Sequence, residues 1–428
     1  MIRILRHDEV GELVARLAAR SVALDSELLA QVGSIIEDVR ARGDEALIEY
    51  TRNFDGVELK TSELRVSEEV LRASAAKVDK ETLTALRLAI QNVRAFHERQ
   101  VEQSWEFSPS EGVRLGQKIV PLERVGLYVP GGTAAYPSSI VMNVVPAQVA
   151  QVERLVVTTP PRTLGESPAV AAALLELNVN EIYAVGGAQA IAALAFGTAS
   201  IPRVDKITGT GNKYVAAAKK LLFGVVGIDA IAGPSEVVII ADQTARADFI
   251  AADLLAQAEH GEDASSLLIT SHYDLAQRVA EELTAQIESL PRRAIAQSSL
   301  RGYGAIVLVD TLDEACALVN ELAPEHLELV TSDDEAVAAK IKHAGAIFFG
   351  SYTPEAVGDY LAGPNHVLPT GRTARFSSAL GVYDFVKRTS LLRYSASAFN
   401  SVAESVSTLA HCEGLAAHAH SAAIRKLK

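Results

Sequence analysis

The sequence predicts an α/β protein with two blocks of parallel-rich sheet, and three observations carry that prediction. Apolar runs of strand length alternate with Ala- and Leu-rich runs of helix length through the middle of the chain, as strand, crossover helix and parallel strand require. Most of these runs stop at Gly or Pro pairs, where turns form. Toward both ends the alternation fades, and apolar residues recur at three-and-four spacing, the period of an amphipathic helix.

From Ser26 to about residue 103 the spacing is helical, with Leu28-Leu29, Val32, Ile35-Ile36 and Val39, then Leu47-Ile48 after Gly43. At Arg124 the texture changes, and Val125-Gly126-Leu127-Tyr128-Val129 reads as a short buried strand stopped by Pro130-Gly131-Gly132. A strand at 155–158 ending at Pro160-Pro161, a helix at 169–177 and a strand at 182–185 entering Gly186-Gly187 follow. A helix at 188–196, a strand-turn from Ile207 through Gly209-Thr210-Gly211-Asn212 and a helix at 213–222 complete this block, spanning roughly 129–236.

After Gly233-Pro234-Ser235 a second block opens, with strands at 237–240, 267–270, 305–309 and 346–349. From Ala379 the chain is expected to be helical, with 409–427 the longest run. The resulting division is a helical segment over 1–22, a first α/β domain of 23–128 joined to 237–378, a second over 129–236, and a helical tail over 379–428.

Composition bounds the function. A chain of 428 residues with 49% hydrophobic content can bury a sizeable core. Its formal charge of -13, from 40 basic and 53 acidic residues, argues against a nucleic-acid surface, which needs clustered Lys and Arg. Cys316 and Cys412 make no disulfide framework and suit a reducing compartment. The N-terminal residues lack the apolar core of a signal peptide, so a cytoplasmic location is expected. The most apolar stretch, 188–199, is too short for a bilayer.

Several residues carry chemistry. In Gln257-Ala258-Glu259-His260-Gly261-Glu262-Asp263 the spacing puts Gln257 and His260 on one helix face, which is half a metal site, or else ordinary capping. Asp359, before the turn Gly363-Pro364-Asn365, offers a hard carboxylate, and His418 a second imidazole. No HExxH or CxxC is present, which removes the zinc-protease helix and thiolate sites. Pro324-Glu325-His326 sets a carboxylate beside an imidazole. On extended backbone they point to opposite faces, so each could serve its own proton transfer, with His326 the natural base near neutral pH. The plain alternative is a helix-end cap with a solvated glutamate. Gly209-Thr210-Gly211 lacks the third glycine of GxGxxG, so any dinucleotide is bound outside that fingerprint. From the ligand set alone, a zinc hydrolase with Glu325 activating water stays open, as does a non-catalytic binder with a structural metal.

Six ordered blocks narrow the choice. Arg124 through Gly132, Ile231-Ala232-Gly233-Pro234-Ser235-Glu236, Gln257-Ala258-Glu259-His260-Gly261, Ala323-Pro324-Glu325-His326-Leu327, Gly363-Pro364-Asn365-His366, and Glu413-Gly414-Leu415 through His418 closely resemble histidinol dehydrogenases. The resemblance implies two incomplete Rossmann-like α/β domains, with 129–236 binding NAD, in an intertwined homodimer. It implies oxidation of L-histidinol to L-histidine in two NAD-dependent steps through L-histidinal, the last steps of histidine biosynthesis. Gln257, His260, Asp359 and His418 correspond to ligands of one zinc ion per subunit, and also contact substrate. Glu325 and His326 correspond to the catalytic pair, His326 as base for the alcohol proton and Glu325 as activator of water for aldehyde hydration. Ser235, His326, His366 and Glu413 correspond to substrate contacts, and Tyr128, Gln189 and Asn212 to NAD contacts. The tail carrying Glu413 and His418 is implied to cross into the partner's active site.

Overall fold

Continuous apolar runs such as Val237-Val238-Ile239-Ile240 form strands buried on both faces, and the computed structural model assembles them into parallel sheets covered by helices. It describes residues 2–20, 25–131 and 136–426; Gly132 of the glycine turn and Leu427 of the terminal run lie outside the described residues. One six-stranded sheet runs, edge to edge, Arg3–Arg6, Ala305–Leu308, Ser265–Thr270, Glu236–Ala241, His326–Val330 and Ala346–Phe349. All of its pairings are parallel. Helices Ala247–Ala258, Tyr273–Gln286 and Arg293–Tyr303 cover one face, and Gly11–Arg20 with Leu312–Leu322 the other.

A second parallel sheet of five strands has the order Glu181–Ala184, Arg154–Thr159, Arg124–Tyr128, Lys206–Thr208, Gly227–Ile228. The chain starts at its centre, fills one side, then returns to fill the other. Helices Lys80–His97, Pro137–Val149 and Pro168–Glu176 pack on one face, and Ser26–Arg42, Gly187–Phe196 and Lys213–Leu222 on the other.

The α/β class and the two parallel sheets are as expected, and three details differ. The helical lobe before residue 128 was expected to join 237–378, but its apolar stripe, including Leu28, Val32, Leu86 and Val93, lies in the cores of the five-stranded sheet. The strand Arg124–Tyr128 is the centre of that same sheet. The segment expected to be purely helical at the N-terminus begins with the edge strand Arg3–Arg6. In the tail, Val386–Tyr394 pairs antiparallel with Val113–Pro121, which also pairs with Trp105–Phe107. The strand Val386–Tyr394 is exposed along most of its length, so no apolar alternation marks it. Helices Ala396–Cys412 and Ala416–Ala423 follow, with only Ala403, Ala410, Ala419 and Ala422 buried.

Candidate active site

Crossover helices in the six-stranded lobe return the chain to the N-terminal edge of the sheet, and the candidate site is built there. Glu236 and His326 are the first residues of adjacent strands, and the helix Ala247–Ala258 runs back to deliver Gln257 and the loop bearing His260. Ala323 ends the preceding helix in a left-handed conformation (φ 47°) and turns Pro324 and Glu325 into the strand. The helix Glu355–Tyr360 brings Glu355 and Asp359, and Gly358 lets the Phe348 ring pack where a side chain would collide.

The backbone of Glu236 holds both members of the expected catalytic pair. Its N–H donates to Glu325 Oε2 at 3.0 Å, and its carbonyl lies 3.1 Å from His326 Nδ1. A carbonyl only accepts, so Nδ1 carries the proton and Nε2 presents its lone pair. That Nε2 is buried without a hydrogen-bond partner, 3.9 Å from Asp359 Oδ1. Burial drives the His326 pKa down to about 3, so the ring is neutral. Burial likewise pushes Glu325 well above the carboxylate range, and the nearby carboxyls of Glu236 and Asp359 add to the rise. The two side chains do not diverge as an extended backbone would have them. Glu325 precedes the strand rather than lying in it, and its Oε2 is 3.8 Å from His326 Nδ1.

His260, Glu355 and Asp359 place ligand atoms within 4.8 Å of one another, a group able to hold a metal ion. Gln257, near the end of the helix Ala247–Ala258 and three residues before His260, is fully buried with neither Oε1 nor Nε2 hydrogen-bonded. Both Glu355 carboxyl oxygens are also buried and unpaired. Orphaned buried polar atoms are costly, and a metal ion would satisfy them. The mix of imidazole nitrogen with amide and carboxylate oxygen suits zinc. Burial lifts Asp359 to about 6 and Glu355 well above its usual range, with Asp359 adding to the latter. It lowers His260 and holds His366 at about 4.

The expectation that Gln257 and His260 share a helix face needs correction, because the helix ends at Ala258 and His260 lies in the loop beyond. A bond from the His260 N–H to the Gln257 carbonyl, 3.2 Å, folds the loop back. His366 is gathered in, with Nδ1 3.1 Å from the Asp359 carbonyl. Ser235, half-buried, directly precedes Glu236. Glu413, in the turn after the helix Ala396–Cys412, and His418, on the helix Ala416–Ala423, are exposed and outside the metal-capable group of the single chain. Sequence reasoning missed Glu355, which carries no local pattern, the role of Glu236, which closes one of the six blocks, and also the strand His326–Val330.

The five-stranded lobe carries a cleft of about 670 Å³ lined by Tyr128, Gln189 and Asn212. It lies beyond the carboxyl ends of strands Arg124–Tyr128 and Lys206–Thr208, where the strand order reverses, the usual ligand position in such sheets. Tyr128 Oη accepts the Gly187 N–H at 3.1 Å, and Gly187 holds φ 67° at the turn. Gln189 Oε1 is buried without a partner. Asn212 Oδ1 accepts the N–H groups of Tyr214 and Val215 at 3.0 and 3.2 Å, so Asn212 caps the helix Lys213–Leu222 as well as lining the cleft. Among the described residues no helix is long and apolar enough to cross a membrane.

A neutral buried imidazole with a free nitrogen, buried carboxyls beside it and a cleft at a sheet's switch point mark an α/β enzyme with a candidate site in each lobe. The chain belongs to the histidinol dehydrogenase family, whose sequence profile matches residues 18–426. It is 56% identical to histidinol dehydrogenase of Geobacillus kaustophilus, over 91% of this chain and 92% of that protein. It is 48% identical to that of Nitrosomonas europaea, over 99% of this chain and all of the other. A crystal structure of histidinol dehydrogenase from Elizabethkingia anophelis superposes with a TM-score of 0.93 at 35% identity, covering 99% of this chain and 98% of that one. An apo betaine aldehyde dehydrogenase from Staphylococcus aureus, 14% identical with a TM-score of 0.52 over 76% of this chain and 82% of that one, shares the fold alone. Family membership displaces the hydrolase and non-catalytic readings.

Proposed function

We propose that this enzyme oxidises L-histidinol to L-histidine in two NAD-linked steps through L-histidinal, the last steps of histidine biosynthesis. The observation that carries the reading is His326 Nε2, buried and unpartnered beside the metal-capable carboxylate Asp359. That nitrogen is a proton acceptor already in its neutral form, and hydride departure needs the alcohol proton removed.

In the first step His326 Nε2 takes the hydroxyl proton as the carbinol C–H leaves as hydride to NAD, giving the aldehyde. His326 passes that proton to the carbonyl oxygen as Glu325, held by the Glu236 N–H, takes a proton from the water that adds to the aldehyde carbon, giving the gem-diol. The freed His326 Nε2 takes a proton from the gem-diol as a second hydride leaves to a second NAD, giving the carboxylic acid, which ionises to the carboxylate. Each cycle thus consumes two NAD and one water. The substrate-facing ligand set is Gln257, His260 and Asp359, completed by His418 of the partner subunit in a homodimer, with one zinc per subunit. The chemistry zinc supplies when bound is orientation, anchoring the imidazole and amino nitrogens of the substrate. Ser235, His366 and the partner subunit's Glu413 contact the substrate, while Tyr128, Gln189 and Asn212 contact NAD in the cleft of the five-stranded lobe.

The test is the yield of NADH from limiting histidinol with zinc-loaded enzyme. About two NADH per histidinol and about one per histidinal are expected for a four-electron oxidation; one per histidinol, or none, refutes the reading.

A further inference from the structure

We propose that Arg20 is a positioning residue for the catalytic pair: by pairing with Glu236 it fixes the one residue whose backbone holds both Glu325 and His326. The inference rests on the reading of Glu325 and His326 as the reacting groups.

The geometry converges on Glu236 from three sides. Its N–H holds Glu325 and its carbonyl faces His326 Nδ1 at 3.1 Å. Its own side chain is a further carboxylate behind Glu325, in a region where burial already penalises negative charge. Arg20, the last residue of the helix Gly11–Arg20, reaches that carboxylate with NH2 to Oε1 at 2.9 Å, both side chains being nearly buried. Its NH1 donates to the carbonyl of Asp263, three residues beyond the expected ligand His260. The guanidinium also sits 4.8 Å from the centre of the Tyr303 ring. The planar fork of arginine thus ties the strand end, the ligand loop and the helix covering the sheet into one unit, as a lysine would not.

Without Arg20, the Glu236 carboxylate would be buried beside Glu325 with its main counter-charge gone. Such a group turns toward water or takes up a proton, and either change moves the backbone of Glu236, to which both catalytic side chains are held. A displacement of about 1 Å at reacting groups lowers rates about 100-fold.

The experiment compares Arg20→Met, Glu236→Gln and the double variant as zinc-loaded enzymes, with histidinol and with histidinal as substrates. Arg20→Met is expected to lower kcat about 100-fold on both substrates alike, with KM for histidinol unchanged and rates compared per zinc-loaded site by metal analysis. Equal loss follows because the backbone of one residue serves both steps. The double variant removes charge and counter-charge together and is expected to regain about tenfold or more of the lost rate. A scaffold role alone would make the double variant the slower one. The idea is overturned if Arg20→Met keeps kcat within about threefold of the parent, if loss falls on one half-reaction only, or if the double variant is no faster than Arg20→Met. Should Arg20→Met fail to fold, Arg20→Lys, which keeps the charge and loses the fork, must show the same equal loss at smaller size. Failure of the parent enzyme to oxidise histidinol would refute the functional reading instead, and is read separately from these ratios.

Discussion

Replacing Gln257 with methionine should stabilise the metal-free protein and weaken its response to zinc, two effects of opposite sign from one side chain. The Gln257 amide is fully buried and makes no hydrogen bond. An unsatisfied buried polar group costs about 1–3 kcal/mol, and methionine fills nearly the same volume without one. The metal-free variant should therefore gain about 1–3 kcal/mol, or about 2–4 °C in thermal midpoint per kcal/mol for a lobe of this size. If the amide oxygen serves as a ligand, its loss should weaken zinc by at least the 10–100-fold seen for outer-shell partners. At a fixed zinc excess, 100-fold weaker binding removes about 2.7 kcal/mol of zinc-induced stabilisation. Calorimetry with chelator and with zinc, alongside metal analysis, reads both quantities. A variant whose metal-free midpoint does not rise, or whose zinc-induced shift matches the parent, would refute the argument.

Three other predictions follow from separate parts of the molecule. Tyr128→Phe removes the hydroxyl that accepts the Gly187 N–H, and KM for NAD should rise about 2- to 10-fold with kcat unchanged, the worth of one neutral hydrogen bond; steady-state kinetics with an unchanged KM would count against the cleft. Mixing His326→Asn and His418→Asn subunits should recover about a quarter of parental activity, since half the dimers are mixed and each has one intact site; no recovery would mean that sites are built within one chain. Glu328 is pushed up by burial and by the neighbouring Asp253, and it accepts the Glu355 N–H at 2.8 Å. Its folded pKa lies above the unfolded one, so its contribution is complete below the ordinary carboxyl range and is lost as pH rises through the folded value. Glu328→Gln should flatten the fall in the metal-free thermal midpoint above about pH 5, and curves that stay parallel to the parent would exclude this origin.

How much was legible in the sequence follows from what a linear pattern can encode. Strands buried on both faces announce themselves, and the runs at Val237–Ile240 and Leu267–Thr270 lie within strands as expected. The helices over residues 26–97 also carry clear apolar stripes, but a stripe says that a face is buried and not against which sheet. Leu28 and Leu86 therefore gave no hint that they pack on the five-stranded lobe. Val386–Tyr394 left no period because neither of its faces is covered. In the site, His260, His326 and Asp359 stood out because their residue types are few or their motifs ordered. Glu355 and Glu236 are ordinary glutamates among 53 acidic residues, and only the three-dimensional crossing of strand and helix distinguishes them.

The electrostatics of the site argue for a cation more strongly than any single residue does. Glu325, Glu355 and Asp359 are all raised, and His260, His326 and His366 all lowered, with burial the largest cause throughout. Burial thus biases the metal-free pocket toward the neutral forms of its acids and bases, with Asp359 neutral below about pH 6, a bias that a divalent ion inverts. Zinc binding should then expel protons, and they should come from carboxyl groups rather than imidazoles, because the imidazoles are already neutral. Near pH 5.5, below the Asp359 value of about 6, binding should release at least about one proton per zinc, and apparent affinity should climb as pH rises toward about 8. Titration calorimetry in two buffers of different ionisation enthalpy counts those protons directly. Asp359→Asn should reduce the count with His260 untouched. Proton release that vanishes near pH 5.5, or that survives Asp359→Asn undiminished, would place the linkage elsewhere.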